Sequence, residues 1–262
     1  MTVPNPQKRW LVDQLPVELY TSNEELGQAA ANKAHQILRE AIDKKGFANL
    51  ILATGNSQLT FLSALRSLGG IDWKKVRIFH MDEYIGIDPS HPASFPLFLE
   101  NHFLQFTKPG HFHPIPSEPS DVNSACKEYE SLIRQYPADL VARGWGENGH
   151  IAFNDPPDAL FDDPHWVKVV DLAQESRLQQ VGEGHFNSLD EVPKQAITLT
   201  IPALIAPVHI LCIVPERRKA SAVKACLAEQ VDESRPGSIL RTIPHATSVS
   251  YTHLTLPTKR IV

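Results

Sequence analysis

Three short stretches of the chain carry side chains able to move protons or to hold an anion. The densest is Gly144-Trp145-Gly146-Glu147-Asn148-Gly149-His150-Ile151-Ala152-Phe153-Asn154-Asp155. Its three glycines within six residues allow a tight backbone path that side chains would block. His150 can both give and take a proton near neutral pH. Asp155, five residues on, could orient the imidazole, as an acid does in dyads and triads. Asn148 could donate or accept a hydrogen bond at the same place. The plainer alternative is a glycine turn with a structural histidine.

The second stretch is Met81-Asp82-Glu83-Tyr84. A carboxylate at the end of a strand, walled by apolar and aromatic side chains, is placed where a general base is useful. Partial desolvation would raise its pKa toward the working range. Asp82 is the first candidate and Glu83 the second; a solvated loop acid or a helix cap is the alternative. The third stretch is Thr54-Gly55-Asn56-Ser57. A glycine among small polar residues lets backbone N–H groups approach an anion, and a following helix N-terminus adds partial positive charge. An ordinary turn with an N-cap would look the same. The pattern matches neither the P-loop nor the dinucleotide fingerprint.

The surrounding elements must position these turns. Pro16–Thr21 reads as a strand, and Ser22 with Glu25 as a capping box. Leu26, Ala30, Ala34, Ile37 and Ala41 follow at helical spacing, and Gly46 stops the helix. Ala48–Ala53 is continuously apolar, as in a strand covered on both faces. Further strands are expected at Val76–Phe79, Asp139–Val141, Val167–Val170 and His209–Val214. Helices are expected at Leu59–Leu68, Ala93–Phe106, Ser120–Gln135 and Glu216–Glu229. About six strands alternating with helices predict one α/β domain: a three-layer sandwich with a Rossmann-like, mostly parallel sheet and helices on both faces. Ligands of such sheets sit outside the carboxyl ends of the strands. That is where the turns after Ala53, Phe79 and Val141 lie.

Composition narrows the class. The chain has 262 residues, 42% of them hydrophobic, with 25 basic against 30 acidic side chains. No basic stripe suggests a nucleic-acid partner, and no run approaches the roughly 18 apolar residues of a membrane span. The N-terminus has no signal-like apolar region, so a cytoplasmic location is expected. Cys126, Cys212 and Cys226 form no CxxC pair, which argues against a disulfide framework or a structural zinc site. His111 and His113 form an HxH pair with no further ligand suitably spaced. No metal is expected.

In order along the chain, TGNS, FHMDEYIG, HPASF, GWGENGHIAFNDP, VPKQAITLTI and IVPERRKA resemble the glucosamine-6-phosphate deaminase (isomerising) family. Its superfamily includes the 6-phosphogluconolactonases. The resemblance runs from about Leu15 to about Thr247. It implies conversion of glucosamine 6-phosphate and water to fructose 6-phosphate and ammonia, without a cofactor. By resemblance, Asp82 would move the proton between C2 and C1 of the open-chain sugar. His150 would open the pyranose ring, supported by Asp155 and tuned by Asn148; Gly149 belongs to the same loop. Thr54, Gly55, Asn56 and Ser57 match the phosphate loop, and Lys219 matches a phosphate-contacting lysine.

Some members use an arginine as a second phosphate ligand in the stretch equivalent to Gln174–Phe186, where Arg177 is the only candidate. The acidic PPDALFDDPHW segment does not match the basic allosteric site of some bacterial members. The resemblance leaves open a lactonase, a non-catalytic sugar-phosphate sensor, the galacto epimer as substrate, and assembly into a homo-oligomer. IAFND after the histidine, where lactonases have a serine-rich continuation, favours the deaminase. The end of the chain, SVSYTHLTLPTKRIV, matches nothing in the family. Residues 1–247 are therefore read as the domain and 248–262 as an atypical tail of suspect origin. Without that tail the balance is 23 basic to 30 acidic. Attraction of a phosphate must then be local, from Lys219 and the TGNS turn.

Overall fold

The computed structural model describes residues 3–251. A hairpin comes first, with β1 (Lys8–Val12) antiparallel to β2 (Leu15–Tyr20). Helix α1 (Asn23–Lys45) starts as its sequence indicates. The Glu25 N–H donates to Ser22 Oγ at 3.1 Å, and the Glu25 carboxylate accepts from the Thr21 N–H. Gly46 ends the helix in the left-handed conformation, its N–H on the Ile42 carbonyl. Then follow β3 (Ala48–Leu52), α2 (Leu59–Ser67), β4 (Val76–His80), β5 (Asp82–Tyr84), α3 (Phe95–Leu99), α4 (Gln105–Thr107), β6 (His111–His113), α5 (Val122–Gln135) and β7 (Leu140–Arg143). The chain continues through β8 (Val167–Asp171), α6 (Gln174–Gly182), β9 (Gln195–Leu199), α7 (Ile201–Ile205), β10 (His209–Val214), α8 (Ala220–Ala228) and β11 (Ala246–Tyr251). A π-type turn, Glu100–Leu104, joins α3 to α4, so the helix expected over 93–106 is built of three pieces.

Eight strands form the main sheet in the order β1-β2-β11-β10-β7-β3-β4-β6, parallel throughout except for the hairpin. Side chains alternate across it. Leu50 and Leu52 of β3 pack into one core with Leu26, Ala30 and Leu38 of α1 and Phe61 and Leu65 of α2. Ile51 faces the other core, with Tyr129 of α5, Leu204 of α7 and Val223 of α8. This is the expected three-layer α/β sandwich with helices on both faces.

Three expectations change. The strand count of about six is too low. The strand at Val167–Val170 lies outside the main sheet, in a three-stranded antiparallel sheet of order β5-β9-β8. The boundary at 247 falls inside β11, which lies between β10 and β2 and pairs with both. Residues 248–251 therefore belong to the sheet, and the remaining tail, 252–262, lies outside the described residues. Among the described residues, no helix is long and apolar enough to cross a membrane.

The chain path creates a crevice. From β3 it steps through β4 to β6 at one edge, then returns to β7 and steps the other way through β10 and β11. The carboxyl ends of β3 and β7 adjoin at this reversal, where open α/β sheets hold their ligands.

Candidate active site

A cleft opens at the reversal, lined in part by Thr54, Gly55, Ser57, Asp82, Arg143, His150 and Lys219. Met81, Phe95, Phe98, Trp145 and Phe153 supply apolar wall. Six of the twelve residues singled out in the sequence line the cleft: Thr54, Gly55, Ser57, Asp82, His150 and Lys219; Asn148 and Asp155 lie behind His150 and are not in the wall. Gly55, at φ 94°, turns the chain from β3 into a 3-10 turn, Asn56–Gln58, that leads into α2. Neither helical start has a side-chain cap, so the N-cap alternative for this turn does not hold. Asn56 is exposed and is not part of the cleft wall. Lys219 is 5% exposed, at the last position before α8, with Nζ 2.9 Å from Glu216 Oε2.

His150 is held by its own loop. The Gly146 N–H donates to the His150 carbonyl at 2.9 Å, and the Gly149 N–H to the Gly146 carbonyl at 3.1 Å. A Cβ on Gly146 would sit 2.2 Å from the His150 ring, so only glycine lets the imidazole fold back over this backbone. Gly149 has φ 88° and shapes the turn without lining the cleft. The His150 N–H donates to Asn148 Oδ1 at 3.0 Å, and Asn148 Nδ2 donates to Asp155 Oδ1 at 2.7 Å. His150 Nδ1 lies 3.2 Å from Asp155 Oδ1.

Burial opposes ionisation of Asp155, yet hydrogen bonding and charge from His150, with donors Ser176 and Asn148, hold its carboxyl down at about 2. An ionised carboxylate can only accept, so Nδ1 carries the proton and Nε2 is left to exchange one with a ligand. The Ser176 hydroxyl donates to Asp155 Oδ2 at 2.6 Å and lies 3.1 Å from His150 Nδ1. Nothing in the local sequence around Ser176 marks it; α6 brings it to the dyad from a distance in the chain.

Asp82 is 8% exposed. Burial, and then the charge of neighbouring Glu83, push its carboxyl up to about 8. Glu83 is turned to a structural task. It accepts from the Tyr84 and Phe95 N–H groups and the Ser94 hydroxyl, and burial still raises it to about 7. The small antiparallel sheet joins the acid to the histidine loop. Asp82 pairs with Thr198 of β9, and Thr198 Oγ1 accepts the Phe153 N–H at 3.1 Å. Asn154 Nδ2 donates to the Leu199 carbonyl at 2.8 Å. One strand, β9, thus ties the segment of Asp82 to the loop of His150.

Arg177 is placed otherwise than the resemblance suggests. Its guanidinium donates to the carbonyls of Leu189 and Val192, at 2.6 and 2.9 Å, and does not line the cleft. The stretch after it contributes Gln179, Gln180, Glu183 and His185 instead. Arg143, not foreseen as a site residue, is in the wall. The available signal was a lone arginine closing the buried run DLVA. Among the described residues, no group of three metal-ligating side chains is gathered.

A mostly parallel α/β sheet holds a buried carboxyl, an oriented imidazole and a lysine around one crevice of an enzyme, groups able to carry acid–base chemistry on an anion. The chain belongs to the family described as glucosamine-6-phosphate isomerases/6-phosphogluconolactonase, whose model matches residues 21–249. It is similar to the glucosamine-6-phosphate deaminase of Oenococcus oeni, 31% identical over 90% of this chain and 95% of that one. The deaminase of Geobacillus sp. WCH70 is 34% identical, over 87% and 89%. Among solved structures, a monomeric glucosamine-6-phosphate deaminase superposes with a TM-score of 0.83 at 27% identity, covering 91% and 98% of the two chains. A 6-phosphogluconolactonase from Shewanella baltica shares the fold, with a TM-score of 0.73 at 20% identity over 92% and 99%.

Proposed function

We propose that the chain is a glucosamine-6-phosphate deaminase of the isomerising type. The observation that carries this reading is the pairing, in one cleft, of a buried Asp82 raised to about 8 with an imidazole whose proton is fixed on Nδ1 by Asp155. Relatives at 30–34% identity named as deaminases support it. Lys219 and the backbone of the Thr54–Ser57 turn bind the phosphate, which fixes C1 and C2 against the acid–base groups. His150 Nε2 takes the proton from O1 as the ring C1–O5 bond breaks and returns it to O5, giving the open-chain aldehyde. The Asp82 carboxylate then removes the proton at C2, leaving an enaminolate, and delivers it to C1, while O1 takes up the proton that the nitrogen gives up as the C2=N bond forms. The product is an imine at C2. Water adds to that carbon, ammonia leaves, and fructose 6-phosphate remains.

The two groups need different pKa values, and their surroundings set them apart. Asp82 is desolvated among apolar walls, which makes it a stronger base than an exposed carboxylate. Asp155 stays ionised and stabilises the imidazolium formed when Nε2 is protonated. The test is ammonia release from glucosamine 6-phosphate, coupled to a dehydrogenase, with galactosamine 6-phosphate and 6-phosphogluconolactone run beside it. Ammonia and fructose 6-phosphate in equal amounts are expected. Rapid lactone hydrolysis with no ammonia from either amino sugar would overturn the reading.

A further inference from the structure

We propose that Arg143 is the principal anchor of the ligand's dianionic phosphoryl group, in a place that neither the sequence motifs nor Arg177 supplies. The proposal rests on the sugar-phosphate reading of the same cleft. Arg143 closes β7, where side chains alternate between the two cores. Leu140 and Ala142 enter one, and Val141 enters the other, which puts Arg143 on the face that holds Cys212, Cys226 and Trp145. It is 1% exposed. Nε and both terminal nitrogens have no hydrogen-bond partner among the described residues.

Buried arginines are ordinarily paired, because an unpaired buried charge is costly. Other little-exposed cations follow that rule: Lys219 is on Glu216 and Lys168 on Asp163. Among the described residues, the charged-form partners of Arg143 are the thiols of Cys212 and Cys226, which burial pushes up to about 12 and so keeps neutral. Burial pulls the guanidinium down to about 10, which still leaves it cationic at neutral pH.

Its position points to the partner. The Ala53 N–H donates to the Ala142 carbonyl at 2.9 Å, so the end of β7 adjoins the start of the Thr54–Ser57 turn. A Cβ on Gly144 would lie 3.6 Å from Ser57 Oγ. Arg143, Thr54, Gly55, Ser57 and Lys219 all line the one cleft. A planar fork of N–H donors matches two phosphoryl oxygens at once, which an ammonium cannot do. The strand-borne guanidinium would grip the dianion, with Lys219 as a point charge. The arginine that relatives draw from the 174–186 stretch is then unnecessary, and Arg177 is released to tie down the Leu189–Val192 turn.

The test compares the full chain with Arg143→Met and Arg143→Lys, by thermal unfolding with and without inorganic phosphate and by steady-state kinetics. Inorganic phosphate should raise the melting temperature of the unsubstituted protein and leave Arg143→Met unmoved. Without phosphate, Arg143→Met should melt higher, because the uncompensated charge is gone. Its KM for glucosamine 6-phosphate should rise at least about 30-fold with kcat changed far less, the pattern of lost uniform binding. Arg143→Lys keeps the charge and loses the fork, so it should show at least a tenfold rise in KM. This second variant stands if the first fails to fold. An unchanged phosphate response, or KM within threefold in either folded variant, would overturn the assignment. The phosphate readout needs no turnover. A chain that releases no ammonia yet loses its phosphate response in Arg143→Met would refute the deaminase reading and retain the anchor.

Discussion

Replacing Asp82 by Asn should abolish turnover and at the same time make the protein more stable at alkaline pH. The Asp82 carboxyl rises from an ordinary 3.8 to about 8, first through burial and then through Glu83. The folded state therefore holds this proton more tightly than the unfolded chain does. Between about pH 4 and pH 8 the unfolded chain gives the proton up first, so stability falls as pH rises and levels off above about 8. The interval from 3.8 to about 8 sets a ceiling of about 6 kcal/mol, at roughly 1.4 kcal/mol per pH unit. Asparagine has the same shape and no charge to desolvate. Urea unfolding of the native protein and Asp82→Asn, from pH 5 to pH 9, reads this group together with Glu83, whose charge is coupled to it, while more distant titrations largely cancel in the difference. The variant should gain at least about 2 kcal/mol on the native protein across that range. A difference that stays flat within about 0.5 kcal/mol would refute the claim that Asp82 is held protonated by its surroundings. The kinetic counterpart is an acidic limb in kcat/KM for the native protein. It should fall about tenfold per pH unit below pH 8, as the base form of Asp82 is depleted.

The histidine loop gives three further expectations. Gly146→Ala places a methyl group where the His150 ring lies; kcat should drop on the order of 100-fold with the far-UV circular dichroism unchanged. Asp155→Asn removes the charge that faces the imidazole at 3.2 Å; kcat should fall on the order of 100-fold or more in steady-state assays, with KM little altered. Ser176→Ala deletes one hydrogen bond to Asp155; roughly a tenfold loss in kcat is expected, and Ser176→Thr should restore part of it.

The strand–turn units were readable because their signals are local. Ala48–Leu52 is uniformly apolar and is a buried central strand. Ser22, Glu25 and Gly46 mark the ends of α1 through contacts within a few residues. The strand at His209–Val214 has the bounds expected for it. The three turns rich in polar residues all reach the reversal of strand order, because carboxyl-end turns of a parallel sheet share one edge. The small sheet was not readable, since its pairing joins Asp82 to Thr198 across more than a hundred residues and neither segment announces the other.

The sequence by itself determined the layered α/β scaffold, the histidine loop and the acid that follows β4, through patterns written over spans of a few residues. Tertiary structure alone decided which polar groups share a site and which do not. It sent Arg177 to two backbone carbonyls, gave Glu83 three donors to hold, and brought Ser176 to the dyad. It also left Arg143 buried with no hydrogen-bond partner for its charge among the described residues. Those outcomes depend on distance and desolvation among groups far apart in the chain, and both quantities exist only once the sheets have closed around the cleft.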